Sequence, residues 1–428
     1  MSAPVAISTS TEGEDLNSLV EEGGHEKATL SEIVKATIPL GFLSFGGPMA
    51  HIALLERVFV RERKWITSEQ MTELLALSQS LPGPTSTQVV IAVGTLASDS
   101  LLGGFLAFFF FGLPGTLVLF ISGLLLRNSS QKVELNPYVS QFLNGVSAAA
   151  IAIVAQAGWR FALKVAPNKL TKTLLLLASV AFLAFPQPSS MIVILVLGGL
   201  AGFLDKLPEE NPANANKAAP PKTKIWFTGL PALITYIGLF LFGIAVSITT
   251  QGKEARLFEG FYRIGSLIFG GGHVVLPMIL SEFTKYSYLT ESEFINGFAI
   301  VSALPGPMFN ISIYLGAIMD GVIGGLVSFI ALFLPAFLTV WACLPAWENF
   351  RRNRAVKKLL RGLSATAVGF IVSAVYLLWR ATAKNGNEIL PTCLGIISYL
   401  LLEIHDLSPP IILLIGGILS IIANQVHI

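Results

Sequence analysis

Charge is what this sequence has least of. Only 13% of its 428 residues are Asp, Glu, Lys or Arg, and 53% are hydrophobic. A soluble domain carries about 25% charge, so an ordinary water-soluble fold is excluded. There are two cysteines, Cys343 and Cys393, and five histidines, with no metal-ligand spacing among them. Neither a disulfide scaffold nor a zinc site is expected, and both cysteines read as small buried hydrophobes. Walker A, HExxH and nucleophile-elbow sequences are absent, so direct ATP drive is not indicated and nothing marks an enzyme. No cofactor and no metal are implied. The net charge of +2 gives no reason to expect nucleic acid. Short alternating strands, the mark of a β-barrel, are also missing.

What is present is a series of apolar runs long enough to cross a bilayer, such as Leu101–Leu126, Ile225–Thr249 and Ser408–Ala423. The expected fold is an all-α, polytopic, multi-pass protein of the cell membrane. Residues 1–30 are polar and acid-leaning with no apolar core. They read as a disordered tail and not as a cleaved signal or transit peptide.

The chain repeats itself. "FLSFGGPMAHIALL" at 42–55 resembles "SLIFGGGHVVLPMIL" at 266–280, and "WITSEQMTELLALSQSLPGP" at 65–84 resembles "YLTESEFINGFAIVSALPGP" at 288–307. "DSLLGGFLAFFFFGLPG" at 99–115 matches "DGVIGGLVSFIALFLPA" at 320–336, and "FLNGVSAAAIAI" at 142–153 matches "LLRGLSATAVGF" at 359–370. Trp159-Arg160 answers to Trp379-Arg380. Five matches in one order indicate duplication, with halves at 31–205 and 257–428. Between them, 206–256 holds a polar linker and one extra apolar segment.

FGG followed by His and then by a downstream PGP, once per half, resembles the long two-domain form of the chromate ion transporter family. The likeness rests on "FGGP" at 45–48, "WIT" at 65–67 and "LPGP" at 81–84; the second half has "FGGG" and "YLT" instead. The resemblance implies a secondary transporter that exports chromate from the cytoplasm, driven by the proton gradient. Sulfate or another oxyanion, or an anion channel, is the alternative. A homodimer is left open.

Each Pro-Gly-Pro interrupts a helix inside the membrane. Thr67-x-x-Gln70 and Thr290-x-x-Glu293 fit capping boxes, so an arm runs from Thr67 to Leu81, about 21 Å. Pro82 and Pro84 then bar continuation, Gly83 allows a sharp turn, and a second helix starts near Thr85. Broken backbone in lipid must line protein or a wet cavity, and matched breaks in two halves point to a substrate site. The new helix start exposes amides suited to an anion. The substrate-binding candidates are Gly46, Gly47, Gly83, Thr85, Ser86 and Gln88 in the first half. In the second they are Gly270, Gly271, Gly306, Asn310 and Ser312. His51 and His273, each after a glycine break, and Glu73 in the first arm are candidates for proton coupling. Lys35 and Arg263 read as snorkelling to the interface, and Arg160 and Arg380 as interface anchors.

Both ways of counting spans leave the halves inverted. Thirteen simple spans would put the basic stretch 57–64 outside, against the positive-inside tendency. Nine spans with re-entrant hairpins tipped by FGG and PGP bring 57–64, 160–172 and 350–361 all inside.

Overall fold

The computed structural model describes residues 27–45, 47–128, 137–205, 227–249, 252–268, 275–285, 288–346, 353–383 and 388–425. Helices make up the fold, with no strand among the described residues. They are α1 (Leu30–Leu43), α2 (Gly47–Glu56, continued by a π-turn over Arg57–Glu62), α3 (Ser68–Ser80), α4 (Thr85–Ser98), α5 (Leu101–Asn128), α6 (Pro137–Val165), α7 (Lys169–Ala184) and α8 (Pro188–Ala201). Then come α9 (Gly229–Thr249), α10 (Lys253–Leu267), α11 (Val275–Lys285), α12 (Glu291–Ala303), α13 (Ile311–Cys343, entered by a 3-10 turn over Met308–Asn310), α14 (Arg354–Thr382), α15 (Ile389–Glu403) and α16 (Pro409–Gln425).

Five of these helices are apolar and long enough to span: Leu101–Arg127, Pro137–Val165, Gly229–Val246, Met308–Ala346 and Arg354–Thr382. Large hydrophobics such as Leu176, Val196, Leu241 and Ile418 face outward, as on a lipid-facing surface.

Local chemistry sets the short helices. Thr67 accepts from the Gln70 amide while the Gln70 side chain returns to the Thr67 amide; Thr290 and Glu293 do the same. With 13 and 14 residues, α3 and α4 each rise about 20 Å, two-thirds of a 30 Å hydrocarbon core. They pack on each other, as do α12 and α13. Gly297 of α12 faces the Tyr314 ring, and the Tyr314 hydroxyl donates to the Glu293 carbonyl at 3.3 Å. Each Pro-Gly-Pro therefore joins two helices that pack on each other, as in a re-entrant hairpin.

The halves are inverted. Phe105 meets Phe337 and Phe108 meets Phe333, while Phe120 lies beside Gly325, so α5 and the later part of α13 run antiparallel. Phe108 and Phe329, equivalent positions, touch at 5.9 Å between ring centroids. Helix α13 merges the counterparts of α4 and α5: its kink at Asp320-Gly321 falls where Asp99, with φ +52°, ends α4.

One face carries the basic loops. Glu32 at the start of α1 feels Arg63, although its carboxyl is held below the usual range mainly by the Thr29 amide and hydroxyl. The Ala28 amide donates to the Ala97 carbonyl at 2.9 Å, which places the end of α4 beside the start of α1. From there α5 crosses and α6 returns, bringing Lys164 back to the same face. Arg160 pairs with Glu403 (3.2 Å) and Arg361 with Asp205 (3.1 Å). The 57–64, 160–172 and 353–361 stretches thus share one face, which the positive-inside tendency assigns to the cytoplasm. The helices of the second half enter from the opposite side: Lys253 reaches Asp320 (3.7 Å), and the Ser281 hydroxyl donates to the Pro186 carbonyl (2.9 Å).

Three readings of the sequence change. Arg263 does not snorkel: it lies half-buried between Glu259 (2.5 Å) and Glu282 (2.9 Å), because two carboxylates compensate its desolvation better than a distant interface. Cys393 is exposed on α15 and Cys343 half-buried; an apolar neighbourhood in sequence includes lipid-facing positions. Residues 27–30 are ordered, with Lys27 paired to Asp99 (2.7 Å), while 1–26 and most of the linker lie outside the described residues.

Candidate functional site

The site begins with two glycines. Gly83 has φ +132° and Gly306 has φ +108°, conformations that L side chains rarely adopt. Their amides are not left free. Gly83 donates to the carbonyl of Ile268, and Gly306 to that of Ser44, each at 2.8 Å. Ser44 and Ile268 are equivalent positions just before the FGG and FGGG motifs. Each PGP tip is thus held by the glycine-break hairpin of the opposite half, and the two bonds form a pseudo-two-fold pair.

Around Ser44 the two halves converge. His51 Nε2 lies 2.9 Å from the same Ser44 carbonyl, and Nδ1 lies 3.3 Å from Ser86 Oγ. A carbonyl can only accept, so Nε2 carries the ring proton and Nδ1 accepts from the Ser86 hydroxyl. The imidazole is buried and meets Phe111 edge-on at 5.6 Å. The amide of Asn310 fills the space beside Gly306: a Cβ there would lie 3.3 Å from Nδ2. Asn310 Nδ2 also donates to the Gly112 carbonyl at 3.2 Å. Ser86, His51, Gly306 and Asn310 therefore form one cluster from both halves.

The second tip is less polar. Gln88 donates to Pro82 O (2.8 Å) and lies 3.4 Å from Thr339. Phe309 and Leu332 take the places of Ser86 and Phe111. Thr85 and Ser86 open α4 and are buried, as is Ser312 at the start of α13. Glu73 is buried on α3, and Gly47 opens α2. Gly46, Gly270, Gly271 and His273 lie outside the described residues.

Several buried polar atoms near the tips have no hydrogen-bond partner among the described residues: Ser78 Oγ, Thr87 Oγ1, Gln88 Oε1, Ser302 Oγ, Asn310 Oδ1 and Ser312 Oγ. Leaving such a group unmade costs about 1–3 kcal/mol. The four serine and threonine hydroxyls can donate to a ligand, whereas the two amide oxygens can only accept. Ser44, Ser78 and Ser302 were not picked out in the sequence; each is an ordinary serine in an apolar run, and only the meeting of the tips gives it meaning. No group of three metal-ligating side chains occurs among the described residues.

The family model described as chromate transporter matches residues 31–203 and 255–421. The chain belongs to the chromate transporter family. Each matched stretch covers the membrane part of one inverted half of this chromate transporter family member. It is similar to the chromate transport protein of Pseudomonas aeruginosa, 28% identical over 353 residues, covering 81% of this chain and 80% of that one. The chromate transport protein of Cupriavidus metallidurans is 27% identical over 403 residues, 92% of this chain and 93% of the relative. A probable chromate transport protein of Synechococcus elongatus is 26% identical over 399 residues, 93% and 96% of the two chains. No solved structure matches. These relatives are named as transport proteins, and this family member is an integral, multi-pass membrane protein.

Proposed function

We propose that this protein exports chromate from the cytoplasm, driven by the proton-motive force. The observation that supports it is the junction of Ser86, His51, Ser44, Gly306 and Asn310, drawn from two inverted halves at the Pro-Gly-Pro tips. Chromate is a compact tetrahedral dianion with four acceptor oxygens. Thr85, Ser86, Asn310 and Ser312 are suited to hold it with hydroxyl and amide donors, with Gln88 serving the second tip. Neutral donors bind without the deep trap that several buried arginines would make. Gly46, Gly47, Gly270 and Gly271 belong to this reading as close-approach backbone, and Gly83 and Gly306 as the hinges that position the donors.

His51 supplies the coupling. With the ring neutral, the Ser86 hydroxyl turns from Nδ1 to donate to the oxyanion; once the anion has left on the outer side, a proton arriving at Nδ1 takes the Ser86 oxygen as its acceptor and is carried back inward. Dianion and proton thus move in opposite directions, and both movements carry net negative charge outward. An inside-negative potential drives each such charge by about 2.3 kcal/mol per 100 mV. Glu73 and His273 are the remaining proton-carrying candidates. Sulfate has the same shape and charge, so it competes at this site.

Purified protein in liposomes loaded with chromate tests this. An inside-negative potassium diffusion potential should drive saturable efflux, inhibited by sulfate. Efflux no faster than from protein-free liposomes would end the proposal.

A further inference from the structure

At the cytoplasmic face a cleft of about 390 Å³ opens toward the start of α4. Its walls come from α3, α6 and α14, and Thr85 lies among its lining residues. Three cations line it, Lys164, Lys357 and Arg361, together with Gln79 and Ser80, and none of the described residues lining it is acidic. Lys164 Nζ donates to Gln79 Oε1 at 3.2 Å, which holds one ammonium over α3, less than one turn before the break. Arg361 is braced by Asp205 at 3.1 Å, a carboxylate only 3% exposed.

The opposite face differs. Its cleft, about 430 Å³, is lined by one cation and one carboxylate, Arg380 and Glu291. The repeat explains the difference. Lys357 and Arg361 on α14 answer to Ser140 and Asn144 on α6, and α6 begins at the opposite face. Duplication therefore did not carry these two cations to the opposite face.

Topology signalling accounts for basic residues on loops, but not for three cations converging in one cleft beside Thr85. We infer that this cleft is a loading site for a tetrahedral oxyanion, which makes the transporter bind its substrate more tightly from the cytoplasmic side than from the other. The inference rests on the reading that the protein carries such an anion. A cleft of one sign, walled by low-dielectric protein, concentrates the opposite charge, and a dianion feels twice the pull of a monovalent ion. Lys164 is exposed and Lys357 and Arg361 are half-buried, so water and salt reach them and they raise arrival at the site without trapping the ion in it. The headgroup phosphate of an anionic lipid offers the same chemistry, and the test separates the two sources.

The measurement is the KM for chromate in everted and in right-side-out membrane vesicles at low ionic strength. In Lys164→Gln/Lys357→Gln, which leaves the Arg361–Asp205 pair intact, KM at the cytoplasmic face should rise about tenfold and KM at the other face should stay within about twofold. The difference should fade at roughly 1 M salt, where the screening length falls to about 3 Å. Lys164→Arg/Lys357→Arg should retain the wild-type KM. Equal shifts at both faces, or no shift at either, would overturn the inference. In liposomes of phosphatidylcholine alone the effect should persist; if it appears only with phosphatidylglycerol present, the cleft is a lipid site and the inference is wrong. Chromate titrated into the detergent-purified full-length protein reads the cleft without transport. Binding unchanged in the double variant would also overturn the inference, whereas weakened binding in a protein that transports nothing would support it and count against export alone.

Discussion

Gly306→Ala separates the positioning of the site from the stability of the fold. Gly306 has φ +108°, and its amide donates to Ser44 at 2.8 Å. An alanine kept in this conformation bears about 1–3 kcal/mol of strain. An alanine that turns away loses one hydrogen bond, about 0.5–1.5 kcal/mol, and leaves the Ser44 carbonyl with His51 alone. The second route is cheaper, so the tip should move. Folding should then weaken by only about 1 kcal/mol. Transport should suffer far more, because Asn310 packs beside Gly306 and shares the Ser44 junction with His51 and Ser86. A misplacement of about 1 Å can cost a hundredfold in rate, and a loss on this scale is expected. Gly83→Ala has less freedom: a Cβ there would lie 2.9 Å from Gln88 Nε2 and 3.3 Å from the Ala336 Cβ. It should destabilise the protein more than Gly306→Ala does. Thermal melting in detergent and chromate flux in liposomes read the two quantities. Wild-type flux in Gly306→Ala would refute the claim that this tip positions the substrate.

Ser86→Ala and Asn310→Leu each remove a donor to a charged ligand, worth roughly 1–3 kcal/mol, or about five- to 150-fold in affinity. Sulfate inhibition should weaken alongside chromate binding, and a variant that loses only one of the two would contradict a shared oxyanion site. His51→Gln keeps a donor but does not titrate, so chromate binding should survive while the response to an imposed pH difference disappears; an unchanged response would shift attention to Glu73. Single cysteines at Arg61 and Lys357 should react with an impermeant reagent from the same side, and one at Lys285 from the other; labelling of all three from one side would remove the inverted arrangement.

The duplicated halves, the capping boxes at Thr67 and Thr290 and the interrupted helices were legible because each depends on residues close in sequence. Pro-Gly-Pro stops a helix whatever surrounds it. The charge of 57–64 also favoured re-entrant hairpins over thirteen simple spans, and the course of α3, α4, α12 and α13 agrees. What the sequence concealed lies between the halves. The bonds Gly83–Ile268 and Gly306–Ser44 join residues that no local pattern links. Arg263 looked like a lone cation near an interface because Glu259 and Glu282 come to it from its own helix and from α11. Lys357 and Arg361 looked like topology signals until α14 and α6 were seen to wall one cleft. The replacement of Ser86 by Phe309 at the equivalent position was visible from the start, but its consequence, one polar tip and one less polar tip, required knowing which hairpins meet.

The most direct test of the central claim is potential-driven chromate flux through the wild-type protein and through Ser86→Ala/Asn310→Leu, measured in the same liposomes. The two side chains approach the Ser44 junction from opposite halves. If an oxyanion is held between them, the wild type shows saturable, sulfate-inhibited efflux, and the double variant loses most of it while remaining folded. Equal, saturable flux in both proteins would contradict the account, because the anion would then be crossing somewhere other than the meeting point of the two tips.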